Sequence, residues 1–291
     1  VAALHARHPG RVFVVVAESP QEAVSVEADL ETLLDGTEAS HLYPQKEALP
    51  YEESETHVEI GGLRVEAVEA LFSGRTKIVV TTPRALQERA PIPSRLADLR
   101  TTYRVGDEVD FAKLPARLEA RGFERVPMVE EVGQFAVRGG ILDVYSVSAG
   151  DPVRIELWGD EIVSLRTFDI ASQRSIAEIR ETHVLPVDFR RTADTEDPVV
   201  PRSLLELLPA DAVVVRQGDW AVESHAQRTW GRVCTLYDSL VESGATPPEP
   251  SALFLEPEQM AERLAALPRL ALLAEQDADN AIEATAVPAI D

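Results

Sequence analysis

The sequence predicts an α/β protein in which a parallel-sheet domain is interrupted by an α+β insertion. Residues 11–16 and 77–82 contain runs of apolar and β-branched residues, a pattern typical of strands that are buried on both faces of a parallel sheet. A stretch with helical spacing or a helix-opening proline follows each run. Near Leu99 the pattern changes to short alternating strands, and after Pro186 the first pattern returns.

We therefore predict one discontinuous α/β domain, made of residues 1–98 and 187–291, and an inserted α+β domain at residues 99–186. The further elements predicted are a helix at 21–35 ended by Gly36, a short helix from Pro83, a helix at 113–121, a strand at 212–216, a helix at 220–243, a short strand at 253–255, a helix at 257–267 and a strand at 270–273. Residues 191–201 are polar and are expected to form a surface linker. The tail from Gln276 is weakly patterned and is expected to lead to a further domain.

The composition favours a protein partner over nucleic acid. The 291 residues carry a formal net charge of −22, and the sequence pI is about 4.7. So acidic a surface repels phosphate backbones, although solubility alone would also explain it. The single cysteine, Cys234, excludes an internal disulfide and fits a reducing cytoplasm, where we expect the protein. Because Val1 to Leu4 resemble the middle of a helix, we also expect the chain to be part of a longer protein.

Motifs for nucleotide or metal chemistry are missing from the sequence. A P-loop needs a Gly-Lys-Ser/Thr turn, and none of the three lysines (Lys46, Lys77, Lys113) follows a glycine, so we predict no ATP binding. The acidic pairs 107–108 and 160–161 each follow a glycine and are interpreted as turns. The six histidines are scattered, so no metal ligand set is predicted. Cys234 lies in a predicted amphipathic helix, where packing is favoured, but a Cys-His nucleophile stays open.

Two predicted strands present an arginine on the face opposite their apolar side chains. In residues 153–158, a period of two puts Val153, Ile155 and Leu157 on one face and Arg154, Glu156 and Trp158 on the other. In residues 134–138, Phe135 and Val137 face inward, whereas Ala136 and Arg138 face outward. An outward tryptophan beside arginines is typical of an interface. Two alternatives remain: a second layer covers Trp158 while Glu156 pairs with Arg154, and Arg138 is a solvated residue beside a bulge at Gly139-Gly140.

Several motifs resemble the amino-terminal module of the bacterial transcription-repair coupling factors (Mfd). They are Gly-Gln-Phe-Ala-Val-Arg-Gly-Gly-Ile-Leu-Asp (133–143), Val-Arg-Ile-Glu-Leu-Trp-Gly-Asp-Glu-Ile (153–162), Phe168-Asp169 with Ser-Gln-Arg-Ser (172–175), Tyr43-Pro44 with 47–51, and Thr-Thr-Pro-Arg-Ala-Leu (81–86). The resemblance runs from about residue 1 to residue 190. It implies a UvrB-like module, that is, a RecA-like or Rossmann-like domain with an inserted α+β domain, but without ATPase motifs.

The resemblance extends to UvrB, the damage-verifying helicase of nucleotide excision repair, with one clear difference. UvrB carries a long aromatic hairpin that probes DNA between the equivalents of Tyr51 and Val65. Here no residue from Glu52 to Arg64 is Phe, Tyr or Trp. The resemblance therefore implies a UvrB-like scaffold that lacks the DNA probe.

The implied function is recruitment of repair proteins. In the coupling factors this module binds UvrA by imitating UvrB, and the full-length protein, an ATP-dependent DNA translocase, also engages stalled RNA polymerase and DNA. The family's UvrA-contacting residues match Arg138, Arg154 and Trp158, with phenylalanine usual at the third position. No catalytic residue, cofactor or metal is expected in this chain. Two alternatives are an independent UvrB-like protein that binds damaged DNA and an enzyme, such as a nucleotidase, in the α/β cleft.

Overall fold

The computed structural model describes residues 1–34, 40–52, 57–93, 99–191 and 200–272. These residues divide into two compact units. The parallel-sheet unit comprises the described residues within 1–55, 70–91 and 200–291, and the inserted unit comprises those within 56–69 and 92–199. The predicted cap at Gly36, most of the predicted linker at 191–201 and the tail after Gln276 lie outside the described residues.

The helices are α1 (Ala2–Arg7), α2 (Pro20–Leu33), α3 (Val58–Ser73), α4 (Pro83–Gln87), α5 (Leu114–Ala120), α6 (Val222–Glu242), α7 (Pro250–Leu253) and α8 (Pro257–Ala265). The strands are β1 (Phe13–Val16), β2 (Ser40–Tyr43), β3 (Ile78–Thr81), β4 (Arg89–Ala90), β5 (Thr101–Arg104), β6 (Glu124–Arg125), β7 (Gln134–Arg138), β8 (Ile141–Val144), β9 (Val153–Trp158), β10 (Glu161–Phe168), β11 (Ser175–Ile179), β12 (Glu181–Val184), β13 (Arg202–Ser203), β14 (Val213–Gln217) and β15 (Arg269–Leu272). No helix among the described residues combines the length and apolar character that crossing a membrane requires.

The first unit is built on a five-stranded parallel sheet with the order β15-β14-β1-β3-β2. Strand β1 lies at its centre, with Val14 opposite Val214 on one side and Val79 on the other. All four residues of β1 are buried, as the continuous apolar run predicts. The α/β class is thus confirmed, and the pairing of β1 with β14 joins the two sequence segments that the insertion separates.

Helices α2 and α4 begin where the sequence places their caps. Ser19 accepts a hydrogen bond from the backbone N–H of Glu22 at 3.2 Å, and Thr82 accepts one from that of Ala85 at 3.3 Å. A proline follows each cap at the first helical position, where its missing N–H costs no helical hydrogen bond. The two caps therefore determine where the loop after β1 ends at α2 and where the loop after β3 ends at α4.

The short strand predicted at 253–255 is wrong. Helix α7 occupies residues up to Leu253, because Pro250 opens a helical turn there. Phe254 is extended, but it forms only an isolated antiparallel bridge with Glu88. The apolar run is too short to separate the two conformations by periodicity alone.

The inserted unit is built on a six-stranded sheet with the order β11-β10-β9-β8-β7-β6. Neighbouring strands are antiparallel except β6 and β7, which are parallel. The inner face of this sheet and α5 form the main core of the unit, which includes Leu114, Leu118, Phe135, Leu142, Val144, Val153, Ile155, Leu157, Ile162 and Leu165. The opposite face carries the candidate site.

Residues 58–69, three quarters of α3, belong to the inserted unit, a difference from the boundary predicted at residue 98. Two glycines explain this placement. A Cβ atom on Gly61 would lie 2.4 Å from the carbonyl oxygen of Val187, and one on Gly62 would lie 2.7 Å from Cγ1 of Val147. Glu69, one turn before the helix end, accepts two hydrogen bonds from Arg100 at 3.1 and 3.0 Å. Close backbone packing therefore ties residues 57–69 to the insertion.

Candidate functional site

The candidate site lies on the outer face of the six-stranded sheet, the face opposite the main core. Cross-strand pairs place Ala136 opposite Asp143 and Asp143 opposite Arg154. Since side chains alternate along each strand, Arg138 lies on the same face as Ala136, and Trp158 on the same face as Arg154. The face predicted for Arg138, Arg154 and Trp158 is therefore the face that they occupy. Whether these residues bind a partner stays a prediction.

The hairpin that follows Arg138 is a regular two-residue turn. Arg138 pairs with Ile141 without a register shift, so the alternative of a bulge at Gly139-Gly140 is wrong. Gly139 has φ of +61°, a conformation that hairpin turns of this length require and glycine adopts without strain. A Cβ atom on Gly140 would lie 2.7 Å from the carbonyl oxygen of Leu157. The glycine pair thus permits both the turn and the close approach of β9.

The carboxylate of Asp143 holds both arginines. Its Oδ1 accepts a hydrogen bond from Nε of Arg154 at 2.7 Å, and its Oδ2 accepts one from Nη2 of Arg154 at 3.0 Å. Arg138 also donates to Oδ2. Asp143 is fully buried. The bonded carboxylate raises the pKa of the Arg154 guanidinium above its ordinary value. The buried carboxylate of Asp143 therefore holds the guanidinium groups of Arg138 and Arg154 in place on the outer face.

Arg154 is far less exposed than the sequence suggests. Its side chain retains only 15% of its accessible surface, whereas that of Arg138 retains 47%. The guanidinium of Arg154 lies 4.8 Å from the centre of the Phe168 ring, and it donates a hydrogen bond of 3.4 Å to the carbonyl oxygen of Gln173. Arg154 faces outward, as the alternation predicts, but it is not an exposed residue, because the chain after β10 folds back over it.

A small second core explains this cover. Val129, Ala136 and Phe168 are buried together on the outer face, with Val126 and Tyr145 packed against them. Gln173 stabilises the covering turn, since its side-chain amide donates to the carbonyl oxygens of Val129 and Ile170 at 3.1 and 2.8 Å. The covered part of the outer face holds Asp143 and Arg154 in place. The open part presents Arg138 and Trp158.

Trp158 is the most exposed large apolar side chain among the described residues, with 83% of its surface accessible. It ends β9, just before a two-residue turn in which Gly159 has φ of +63°. The alternative in which a second layer covers Trp158 and Glu156 pairs with Arg154 is therefore wrong. Glu156 instead lies 3.6 Å from Arg166 on the next strand.

Sequence reasoning missed the residues that organise the site. In the sequence, Asp143 is only the last residue of one motif, and Phe168 and Gln173 only belong to motifs that carry the resemblance. The polar position of Asp143 within an otherwise apolar strand, β8, is the one signal that could have pointed to it. Its partners follow from the strand register, which the sequence does not specify without the turn geometry.

The other residues considered for chemistry have structural roles. Asp107 accepts a hydrogen bond from the backbone N–H of Arg104 at 2.8 Å, as turn residues do. Asp160, in the turn before β10, accepts one from the backbone N–H of Phe111 at 3.2 Å and so links two distant segments. In the described part of the chain, no group of three or more His, Cys, Asp or Glu side chains is placed to hold a metal ion. Burial raises the pKa of the Cys234 thiol, which disfavours the thiolate that a nucleophile needs.

Comparison with known proteins agrees with the resemblance. Residues 102–189, which contain all three predicted site residues, match the family described as the UvrB interaction domain. The chain is similar to transcription-repair-coupling factors of Mycobacterium bovis (38% identity over 181 residues, 60% of this chain and 14% of the relative), Haemophilus influenzae (33% over 181 residues, 62% and 16%) and Bacillus subtilis (30% over 181 residues, 62% and 15%). The match thus spans about one seventh of the length of these relatives. Residues 102–189 are therefore similar to the UvrB interaction domain family, and the chain is similar to bacterial transcription-repair coupling factors over that part of their length.

Proposed function

We propose that this chain is an adaptor that binds UvrA through the outer face of its UvrB interaction domain, in the way that UvrB would. Within a longer coupling factor, this contact would recruit nucleotide excision repair to stalled RNA polymerase. The observation that carries the proposal is the arrangement around Asp143. A buried carboxylate holds Arg138 and Arg154 on the same sheet face that presents Trp158 to solvent.

The arrangement suits protein recognition for two physical reasons. Arg138 is bound at one nitrogen and half exposed, so its remaining donors are available and its side chain loses little freedom when a partner binds. Trp158 offers a large apolar surface that water covers in the free protein. Burying a tryptophan beside an oriented arginine is typical of the few residues that dominate interface energies.

The charge supports a protein partner over DNA. The formal net charge of −22 repels phosphate groups, and residues 58–64, within the stretch where UvrB carries its aromatic hairpin, form the first turns of α3 without an aromatic side chain. The net charge and the absence of an aromatic side chain at residues 58–64 therefore oppose the alternative of an independent DNA-damage-binding protein.

Binding of purified UvrA to the chain tests the proposal. We expect saturable binding that UvrB reduces by competition, since both would occupy one surface. The substitution Arg138→Ala should weaken binding about 10- to 100-fold, as loss of an interface arginine typically does. A matched control is Arg104→Ala, which removes an arginine that is 56% exposed and pairs with Glu181 on the separate two-stranded sheet of β5 and β12. Absence of UvrA binding, or equal loss in both variants, would refute the proposal.

A further inference from the structure

Arg166 occupies a position on the outer face that is unfavourable for the free protein. It lies on β10 directly opposite Arg154 on β9. Like charges that face each other across two antiparallel strands destabilise a sheet. Arg154 is paired with the buried carboxylate of Asp143, with which it forms hydrogen bonds of 2.7 and 3.0 Å. Arg166 has no comparable partner among the described residues.

The ion pairs of Arg166 are long. One terminal nitrogen lies 3.6 Å from Glu156, and the other lies 3.4 Å from Glu178 on β11. The Glu178 side chain is 81% exposed, so solvent screens that pair. The Nε of Arg166 is buried and has no hydrogen-bond acceptor among the described residues. A guanidinium has five N–H donors, and those of Arg166 are therefore incompletely satisfied.

We infer that Arg166 is a third arginine of the docking face and that it binds a carboxylate of UvrA. The inference rests on the proposed function. A partner carboxylate that approaches β10 would replace the weakly held Glu178 and form the paired hydrogen bonds that a guanidinium favours. The docking face then extends over β7, β9 and β10, from Arg138 through Trp158 to Arg166, and its partner surface is acidic opposite the arginines.

The inference also assigns a role to Glu178. In the free protein the carboxylate of Glu178 lies 3.4 Å from Arg166, and the Glu178 side chain is 81% exposed. An acidic partner surface would have to displace it and would be repelled by it. Removing this charge should therefore favour the complex, whereas removing the arginine should oppose it. The opposite signs distinguish a binding role of Arg166 from a purely structural one.

The test is the affinity of UvrA for Arg166→Ala, Glu178→Gln, Arg138→Ala and the control Arg104→Ala, with the melting temperature of each. We expect Arg166→Ala to weaken binding about 10-fold and Glu178→Gln to strengthen it about 2-fold. If Arg166→Ala does not fold, Arg166→Gln keeps most of the stem, and Glu178→Gln still reports on the site.

The outcomes separate the two proposals. If Arg138→Ala weakens binding while Arg166→Ala and Glu178→Gln bind like the unmodified chain, the inference about Arg166 is wrong and the proposed function stands. If Arg138→Ala also binds like the unmodified chain, the proposed docking face is wrong and the inference falls with it.

Discussion

Asp143 lies directly opposite Arg154 on neighbouring antiparallel strands, and the two side chains form hydrogen bonds of 2.7 and 3.0 Å. Asp143 is fully buried, and only 15% of the arginine side chain is accessible. A partly buried guanidinium without its carboxylate would retain the cost of its desolvation. The pair therefore links the stability of the inserted unit to the geometry of the proposed docking face.

Replacing Asp143 should destabilise the protein strongly. We expect Asp143→Asn to lower the free energy of unfolding by about 2–4 kcal/mol, because it leaves Arg154 without a counter-charge. Asp110→Asn is the matched control, since Asp110 forms an exposed pair with Lys113 and its replacement should leave stability nearly unchanged. Urea denaturation measures both variants. A loss below about 1 kcal/mol for Asp143→Asn would contradict the central role of this carboxylate.

The two arginines should differ in their effect on folding. Arg154→Ala removes two hydrogen bonds to Asp143 and the contact with Phe168, so we expect a loss of about 2–4 kcal/mol. Arg138→Ala removes one bond from a half-exposed side chain and should cost about 1 kcal/mol or less. The denaturation midpoints of the two variants show whether Arg154→Ala is the more destabilising. Equal losses would mean that the cover over Arg154 contributes little.

Gly61 and Gly231 should respond to alanine in opposite directions, although both lie within helices. A Cβ atom on Gly61 would meet the carbonyl oxygen of Val187 at 2.4 Å, so Gly61→Ala should cost about 1–3 kcal/mol. A Cβ atom on Gly231 meets nothing within 4 Å, and Gly231→Ala should stabilise the protein by about 0.5–1 kcal/mol through helix propensity. The melting temperatures of Gly61→Ala and Gly231→Ala, measured in the same buffer, test this prediction. Tolerance of alanine at residue 61 would show that α3 does not pack closely against Val187.

Stability should depend on pH through Glu27 in α2. Burial, aided by Glu31, raises the pKa of Glu27 from 4.5 to about 7. The folded protein therefore binds this proton more tightly than the unfolded chain does, and the resulting stability is present below pH 4.5 and is lost as the pH rises through 7. We expect Glu27→Gln to stabilise the protein by about 1 kcal/mol above pH 7, a value reduced for solvent screening at this half-buried position. Near pH 4.5 the advantage should vanish. An advantage that is the same at both pH values would contradict the raised pKa.

The parts of the fold that the sequence predicts are those fixed by local patterns. The runs at β1, β3 and β14 identify buried parallel strands, and the proline after each cap fixes the start of α2 and α4. Strand β2, with the sequence Ser-His-Leu-Tyr, has neither a continuous apolar run nor a turn signal and was not predicted. It forms because it pairs with β3, which is a contact between distant residues.

The candidate site was predictable only at the level of which side chains share a face. Alternation places Arg138, Arg154 and Trp158 correctly, since a period of two is a local property. The burial of Arg154 depends on Asp143 and Phe168, which lie on two other strands. It also depends on the turn that contains Gln173, whose φ of +57° is rare for a residue with a side chain. Register and loop placement are tertiary properties that the pattern of one strand does not contain.

The affinity of UvrA for Trp158→Ala is the decisive measurement for the proposed docking face. Trp158 is 83% exposed, so its removal should leave folding intact while it removes apolar surface from the docking face. Leu33→Ala, which shortens an exposed apolar side chain of α2 in the other unit, is the control. We expect Trp158→Ala to weaken UvrA binding about 10-fold or more at an unchanged melting temperature, and Leu33→Ala to leave binding unchanged. Unchanged affinity of a folded Trp158→Ala variant would contradict the assignment of this face to UvrA.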